Sequence, residues 1–354
     1  MSRAIQRAAV IGAGAMGRGI AMTLAGAEIR VQLTDTSAAA VDRALAAIRA
    51  SYASAVSKGR LREDDAQARL ARVTPSSKDD ASLAGVDIAV EAAFERLEVK
   101  REIFGWLDGV VGADAVLATN TSYLDVDLIA EGADRPERVI GLHFFNPAQV
   151  MRLVEIVPGR ATAPDVVASC EALVERLGKI GVVAGNGPGF IGNRMLRVYR
   201  HEAICLLEEG ATPAEVDRAL EEFGMAMGPF RMQDLAGLDI AMASGAVHSR
   251  VFDELCARRR FGQKTGAGWY RYDGRVAYPD DEVTAIIERA SAAAGIARRQ
   301  ISPDEIVERT IGALAAEGRR ILEDKCARSA SDIDAVWVHG YGFPAAKGGP
   351  MKYK

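Results

Sequence analysis

The 354-residue sequence is short of cysteine (4), histidine (4), proline (12) and aromatic side chains (6%). Cys170, Cys205, Cys256 and Cys326 lie 35, 51 and 70 residues apart, spacing that fits neither a zinc site nor a redox pair. Four cysteines in such a length cannot form a disulfide scaffold either, so reduced and mostly buried thiols are expected. No apolar run approaches the ~18 residues of a membrane span. A secretory leader is not expected: Arg3 and Arg7 precede a stretch, Val10–Gly19, broken by Gly12, Gly14, Gly17 and Gly19. The end, Met351-Lys352-Tyr353-Lys354, carries no peroxisomal or retention tripeptide, and a cytoplasmic location is the expectation. With 44 basic and 48 acidic residues, the net charge of −4 supplies no broad positive field for nucleic acid or membrane.

What the chain does have is apolar material, 49% of its residues, enough for a sizeable core in two or three domains. Strand-like runs at 7–11, 29–33, 86–90, 116–118, 139–142 and 153–157 alternate with helix-length segments, and 38–72 is helical in pattern with a break at Lys58-Gly59. This alternation predicts a predominantly parallel sheet covered on both faces. From about Gly187 onward the pattern is helical apart from a short run at Trp269–Tyr272, with turn signals at Thr212-Pro213 and Ser302-Pro303. The helical part repeats itself: Leu207-Glu208-Glu209, Asp217 and Gly228-Pro229 find counterparts in Leu322-Glu323-Asp324, Asp334 and Gly349-Pro350. The expected divisions are a dinucleotide domain at 1–187, a first helical unit at 188–283 and a second, degenerate unit at 299–354.

Gly12, Gly14 and Gly17 form a G-x-G-x-x-G loop with its full context, a strand before, a helix after and Asp35 at the end of the next strand. Gly12 allows the tight turn, Gly14 lets the backbone approach a pyrophosphate, and Gly17 lets the helix pack on the strand. The helix N-terminus then offers donors to phosphate. Met16, inside the loop, is counted with these glycines as cofactor-binding. Asp35 is placed to accept from an adenosine ribose and would repel a 2′-phosphate, so NAD is expected rather than NADP. No metal is expected.

Of the four histidines, His201 and His248 fall in helical stretches and His339 in the second helical copy. His143 follows a predicted strand, where doubly wound folds place their sites. Glu155 sits in an otherwise apolar strand, where a carboxylate is costly unless paired. Paired with His143, it would fix the ring tautomer of a histidine base.

Gly141-Leu142-His143-Phe144-Phe145-Asn146-Pro147 and Met151 through Glu155 resemble the signature of the L-3-hydroxyacyl-CoA dehydrogenases. So do Thr119-Asn120-Thr121-Ser122, Gly187 through Arg194, and Gly262 through Tyr270. The resemblance covers nearly the whole chain. It is nearest to the dehydrogenase half of the multifunctional fatty-acid β-oxidation enzymes, which carries two helical units. It implies a Rossmann-type N-terminal domain followed by an all-α region of two related units, with NAD as cofactor. It further implies oxidation of (S)-3-hydroxyacyl-CoA to 3-oxoacyl-CoA, with His143 as base, Glu155 as its partner, and Ser122 and Asn193 on the substrate. Glu95, Lys100, Ser122, Asn146 and Lys264 match cofactor positions, and Ser51 and Lys58 match CoA-contacting ones. The alternative is a non-catalytic NAD- or CoA-binding relative, akin to a lens crystallin.

Two departures qualify the likeness. Tyr123 stands where short dehydrogenases typically have a second serine, and the chain opens on the dinucleotide strand with no hydratase domain before it. The second unit also stops sooner than in the multifunctional enzymes, so a truncated form is one expectation. In the second copy Glu308 replaces Asn193, which suggests a structural unit covering the surface short dehydrogenases use to dimerise. A monomer is expected, with a homodimer as the alternative.

Overall fold

The computed structural model describes residues 4–244 and 248–353; Arg3 and Lys354 lie outside them. The chain divides into two compact units, residues 1–190 with 326–328, and residues 191–325 with 329–354.

The first unit is built on an eight-stranded sheet of order β3-β2-β1-β4-β5-β6-β7-β8. Its strands are β1 (Arg7–Ile11), β2 (Arg30–Thr34), β3 (Val73–Ser76), β4 (Ile88–Glu91), β5 (Val116–Thr119), β6 (Val139–Phe144), β7 (Leu153–Pro158) and β8 (Ile180–Val183). All neighbours are parallel except β6 and β7, which pair antiparallel. Helices α1 (Ala15–Gly26), α2 (Ala38–Ser57), α3 (Glu63–Ala71), α4 (Leu97–Val110), α5 (Val126–Ala130) and α6 (Pro164–Arg176) make the connections. The inner strands read as unbroken apolar runs because both faces are covered, and Val10, Leu33, Ile88, Val90, Ile140 and Ile156 are all buried. The direction in which successive strands are added across the sheet reverses between the parallel neighbours β1 and β4, the switch point at which such sheets bind ligands.

The sequence pattern missed two strands. β3 is short, polar and at the sheet edge, and β8 contains Gly181 and is only partly buried, so neither shows the apolar run that marks the centre.

The second unit is helical, with α7 (Gly192–Glu209), α8 (Pro213–Phe223), α9 (Pro229–Ala236), α10 (Leu238–Ser244), α11 (Arg250–Ala257), α12 (Asp281–Ala293), α13 (Pro303–Glu323) and α14 (Ala330–Gly340). A small hairpin, β9 (Arg271–Asp273) and β10 (Val276–Tyr278), interrupts them. The two Thr/Ser-Pro signals are helix starts: Thr212 accepts from the Glu215 N–H in a full capping box, and Ser302 accepts from the Glu305 N–H.

The internal repeat has a physical counterpart. Asp217 on α8 accepts from the N–H groups of Phe230 and Arg231 at 2.9 and 3.1 Å, just past Gly228-Pro229. Asp334 on α14 accepts from the Met351 N–H at 2.8 Å, just past Gly349-Pro350. A side chain on either glycine would collide with its aspartate, at 2.3 Å in both places, so Gly is required there for close approach.

Candidate active site

The parallel register aligns Thr34, Ile11, Glu91, Thr119 and Gly141 in one row across the carboxyl ends of β2, β1, β4, β5 and β6. The glycine loop, Asp35, the 92–96 turn and the 120–123 turn all emerge just beyond that row. His143 lies two residues past it on β6.

The glycine loop fits a dinucleotide. Gly12 has φ +108°, and a Cβ there would lie 2.5 Å from the Ala92 carbonyl oxygen. A Cβ on Gly17 would lie 1.8 Å from the Gly12 oxygen, so helix and strand approach only because both are glycine. At Gly14, by contrast, a Cβ would meet nothing within 4 Å, leaving open space over the backbone where a pyrophosphate would lie. Gly14 caps α1 with no side-chain bond and no acidic residue follows in the first turn, as anion binding requires. Met16 is half-buried in that turn. Asp35 is half-buried just past the end of β2, and its carboxylate accepts from the Ala13 N–H at 2.7 Å, tying that strand end to the loop.

His143 is within β6 rather than after it, because the antiparallel partner β7 extends the strand to Phe144. Glu155 is the residue directly opposite on β7. His143 Nδ1 and Glu155 Oε2 are 2.7 Å apart, with the histidine 5% exposed and the glutamate 0%. The ring is wedged against Phe145 and Phe190, with centroids at 4.5 and 5.9 Å. A carboxylate on Nδ1 holds the proton there and leaves Nε2 as the basic nitrogen.

The Thr119–Ser122 motif proves to be an anchoring device. Thr119 Oγ1 donates to Glu91 at 2.6 Å, and Asn120 Oδ1 accepts from the Phe144 N–H at 2.9 Å, beside His143. Glu95 Oε1 takes Thr121 Oγ1 at 2.6 Å and the N–H groups of Ser122 and Tyr123 at 2.7 and 3.1 Å. Burial alone would raise the Glu95 pKa, but the Lys100 ammonium and these donors hold it below the usual carboxylate value. Lys100 is 1% exposed: its Nζ lies 2.8 Å from both oxygens of Glu91 and 3.3 Å from Glu95 Oε2. Its charge is thus engaged by two carboxylates of the protein.

Sequence reading marks neither Glu91 nor Lys179, and it names Asn120 only as part of the Thr119–Ser122 motif. Glu91 carried a readable signal, a carboxylate ending an apolar strand. Lys179 carried none: its Nζ donates to the carbonyls of Ala148 and Met151 at 2.7 and 2.5 Å, clamping the loop that joins β6 to β7. Burial pushes its pKa down to about 8.

Asn146 is exposed on that loop. Ser51 is exposed on α2, donating to the Ala47 carbonyl at 2.8 Å, and Lys58 is exposed one residue past the helix end. Asn193 and Lys264 belong to the second unit. Asn193 is in the first turn of α7, accepting from the Tyr341 hydroxyl at 3.1 Å, and Lys264 pairs with Asp239 at 2.6 Å. Of the other histidines, His201 is exposed on α7 and His339 is on α14, whereas His248 precedes α11 and is not helical, since Ser249 starts that helix as its cap. All four cysteines are free thiols; burial raises the pKa of Cys170 to about 12 and of Cys256 to about 11. Among the described residues no cluster could hold a metal ion, and no helix is long and apolar enough to cross a membrane.

Strand order, glycine loop and acidic strand end together define a doubly wound dinucleotide-binding protein. Residues 7–187 match the "3-hydroxyacyl-CoA dehydrogenase, NAD binding domain" and residues 189–272 the "3-hydroxyacyl-CoA dehydrogenase, C-terminal domain". The chain is 42% identical to the human peroxisomal bifunctional enzyme, over 99% of its own length and 52% of that protein. It is 33% identical to the fatty acid oxidation complex subunit alpha of Psychrobacter arcticus, over 99% and 50%. The crystal structure of 3-hydroxybutyryl-CoA dehydrogenase from Escherichia coli K12 superposes with a TM-score of 0.85 at 31% identity, covering 98% of this chain and 92% of that one. The chain therefore belongs to the 3-hydroxyacyl-CoA dehydrogenase family, whose members are NAD-dependent oxidoreductases. It spans about half the length of the curated relatives it matches.

Proposed function

We propose that this protein oxidises (S)-3-hydroxyacyl-CoA to 3-oxoacyl-CoA with NAD, in fatty-acid β-oxidation. The observation that carries the reading is the buried His143–Glu155 pair, set at the same sheet edge as the glycine loop. His143 Nε2 takes the proton of the 3-hydroxyl. Glu155 keeps the proton on Nδ1 and stabilises the imidazolium that forms. NAD, held by Gly12, Gly14, Met16, Gly17 and Asp35, supplies the acceptor for the C3 hydride. Ser122, on the turn fastened by Glu95, hydrogen-bonds the substrate, and the Asn193 amide donates to the developing 3-keto oxygen. Asn146 and Lys264 complete the cofactor contacts. Glu95 and Lys100 serve the cofactor side, at least in part by holding that turn. Ser51 and Lys58 meet the CoA moiety.

The second unit is read as two related helical copies, and the protein as a monomer. The compartment is read as the cytosol from the cysteine pattern; the human relative's name is peroxisomal, which makes localisation a separate experiment.

The test is the loss of NADH absorbance with acetoacetyl-CoA, run in parallel with NADPH. Turnover with NADH well above that with NADPH is expected. A folded protein inactive with both would overturn the reading.

A further inference from the structure

The chain passes from α6 to β8 through two cations, Arg176 and Lys179, and each donates to two backbone carbonyls. Arg176 donates to the Ile5 carbonyl, ahead of β1, at 2.6 Å and to the Ala27 carbonyl, at the end of α1, at 2.8 Å. Lys179 donates to the carbonyls of Ala148 and Met151 at 2.7 and 2.5 Å. All of these residues belong to the first unit.

The loop that Lys179 holds is also seated on the dinucleotide helix. Its bend is closed by the Val150 and Met151 N–H groups, which both donate to the Pro147 carbonyl at 2.9 Å. Ala148, 1% exposed, meets α1 at Thr23, whose hydroxyl bonds Gly19 in its own helix at 2.8 Å and reaches the Ala148 oxygen at 3.2 Å. At Gly19 a Cβ would come within 2.7 Å of Gln149 Oε1 and 3.0 Å of Ala148 Cβ, so the lack of a side chain there lets the loop lie this close. Helix α1, the Asn146 loop and the passage from α6 to β8 thus form a closed ring of contacts. The Ala148 carbonyl is the acceptor they share.

An ammonium is a costly means of closing a loop. Lys179 is half-buried, and burial lowers its pKa to about 8. What its charge adds is strength, since a hydrogen bond from an ionised donor is roughly twice as strong as a neutral one. That rigidity falls on the loop that carries Asn146.

We propose that Lys179 is a positioning residue of the cofactor site, clamping the loop onto α1 so that Asn146 is fixed where NAD binds. The inference rests on the cofactor role proposed for Asn146. His143 is held independently, by the pairing of β6 with β7 and by Asn120 on the Phe144 N–H. The effect therefore falls on NAD affinity and spares the chemical step.

Lys179→Met nearly keeps the length of the side chain and removes its charge and its donors. Its Kd for NADH, read by fluorescence titration of the full chain, should rise about 3- to 10-fold, the worth of one cofactor hydrogen bond. KM for acetoacetyl-CoA and kcat at saturating NADH should stay within about 2-fold of wild type. Lys179→Arg, which restores a cation, should bind NADH more tightly than Lys179→Met. In an Asn146→Ala background Lys179→Met should cost little more, because the clamp works through the loop that carries the asparagine. A lower Tm with wild-type NADH affinity in Lys179→Met would make the lysine merely structural and overturn the inference. So would losses that multiply in the double variant, or an arginine variant no better than the methionine one. An Asn146→Ala protein with unchanged NADH affinity would instead remove the asparagine's assigned role, and the inference with it. Should Lys179→Met fail to fold, Lys179→Gln, which keeps a neutral donor, goes through the same titration and the same double variant, with the same results deciding.

Discussion

His143 and Glu155 are directly opposed residues of the one antiparallel strand pair in an otherwise parallel sheet, with Nδ1 and Oε2 2.7 Å apart. Neither side chain can turn to solvent. The pair is therefore a fixed acid–base unit, and its two members should fail differently. His143→Gln is expected to bind NADH normally and to lose two to four decades of kcat, the range of general-base catalysis. Glu155→Gln should lose less, because the ring remains but its tautomer is no longer held. Stopped-flow kinetics with acetoacetyl-CoA checks both, and a His143→Gln rate near wild type removes His143 as base.

The Asp35 carboxylate, proposed to bind the adenosine ribose, accepts the Ala13 N–H of the glycine loop at 2.7 Å. Asp35→Ala should weaken NADH binding and narrow the preference over NADPH, as read by fluorescence titration. Asp35→Asn retains an acceptor for Ala13 and should bind NADH better than the alanine variant. Unchanged affinity and preference in both would show that the ribose sits elsewhere.

Buried Lys100 pairs with two carboxylates, the buried Glu91 at 2.8 Å and the more exposed Glu95 at 3.3 Å. Lys100→Met leaves Glu91 buried with no ammonium, a loss of roughly 3–5 kcal/mol for broken buried pairs. Chemical denaturation of the apoprotein measures this. A stability change below about 1 kcal/mol would mean that the network relaxes at little cost.

Burial pushes the Asp217 pKa up to about 7, against the Tyr270 hydroxyl and the Phe230 and Arg231 N–H groups, which lower it. An unfolded aspartate titrates near ~3.9. The folded value is the higher one, so this carboxyl contributes stability fully below about pH 4 and loses it as pH rises through about 7. Asp217→Asn cannot ionise and escapes that loss. The wild-type Tm minus the variant Tm should therefore fall from pH 5 to pH 8, and a constant or rising difference would contradict the assignment.

Much of this was legible in the chain itself. The alternation of strands and helices follows from local apolar periodicity, and the glycine loop from steric limits that act over six residues. Asp35 is placed by the length of one β-α-β unit. The repeat marked by Asp217 and Asp334 was visible because each aspartate must meet a Gly-Pro turn at a set distance along the chain.

What the sequence left open depends on register and on contacts between distant segments. A one-residue slip of β7 would have sent Glu155 to the opposite face of the sheet, so its meeting with His143 awaited the paired strands. Lys100 reads as a solvated helix lysine until α4 folds it onto β4. Edge strands β3 and β8 lack the double burial that writes an apolar run into sequence. Tyr341 looks like part of a degenerate copy, and only packing across 148 residues places its hydroxyl on Asn193. Local composition and spacing determined the class of fold and the chemistry available. Tertiary structure decided which polar groups face one another, because burial makes an unpaired partner too costly to leave.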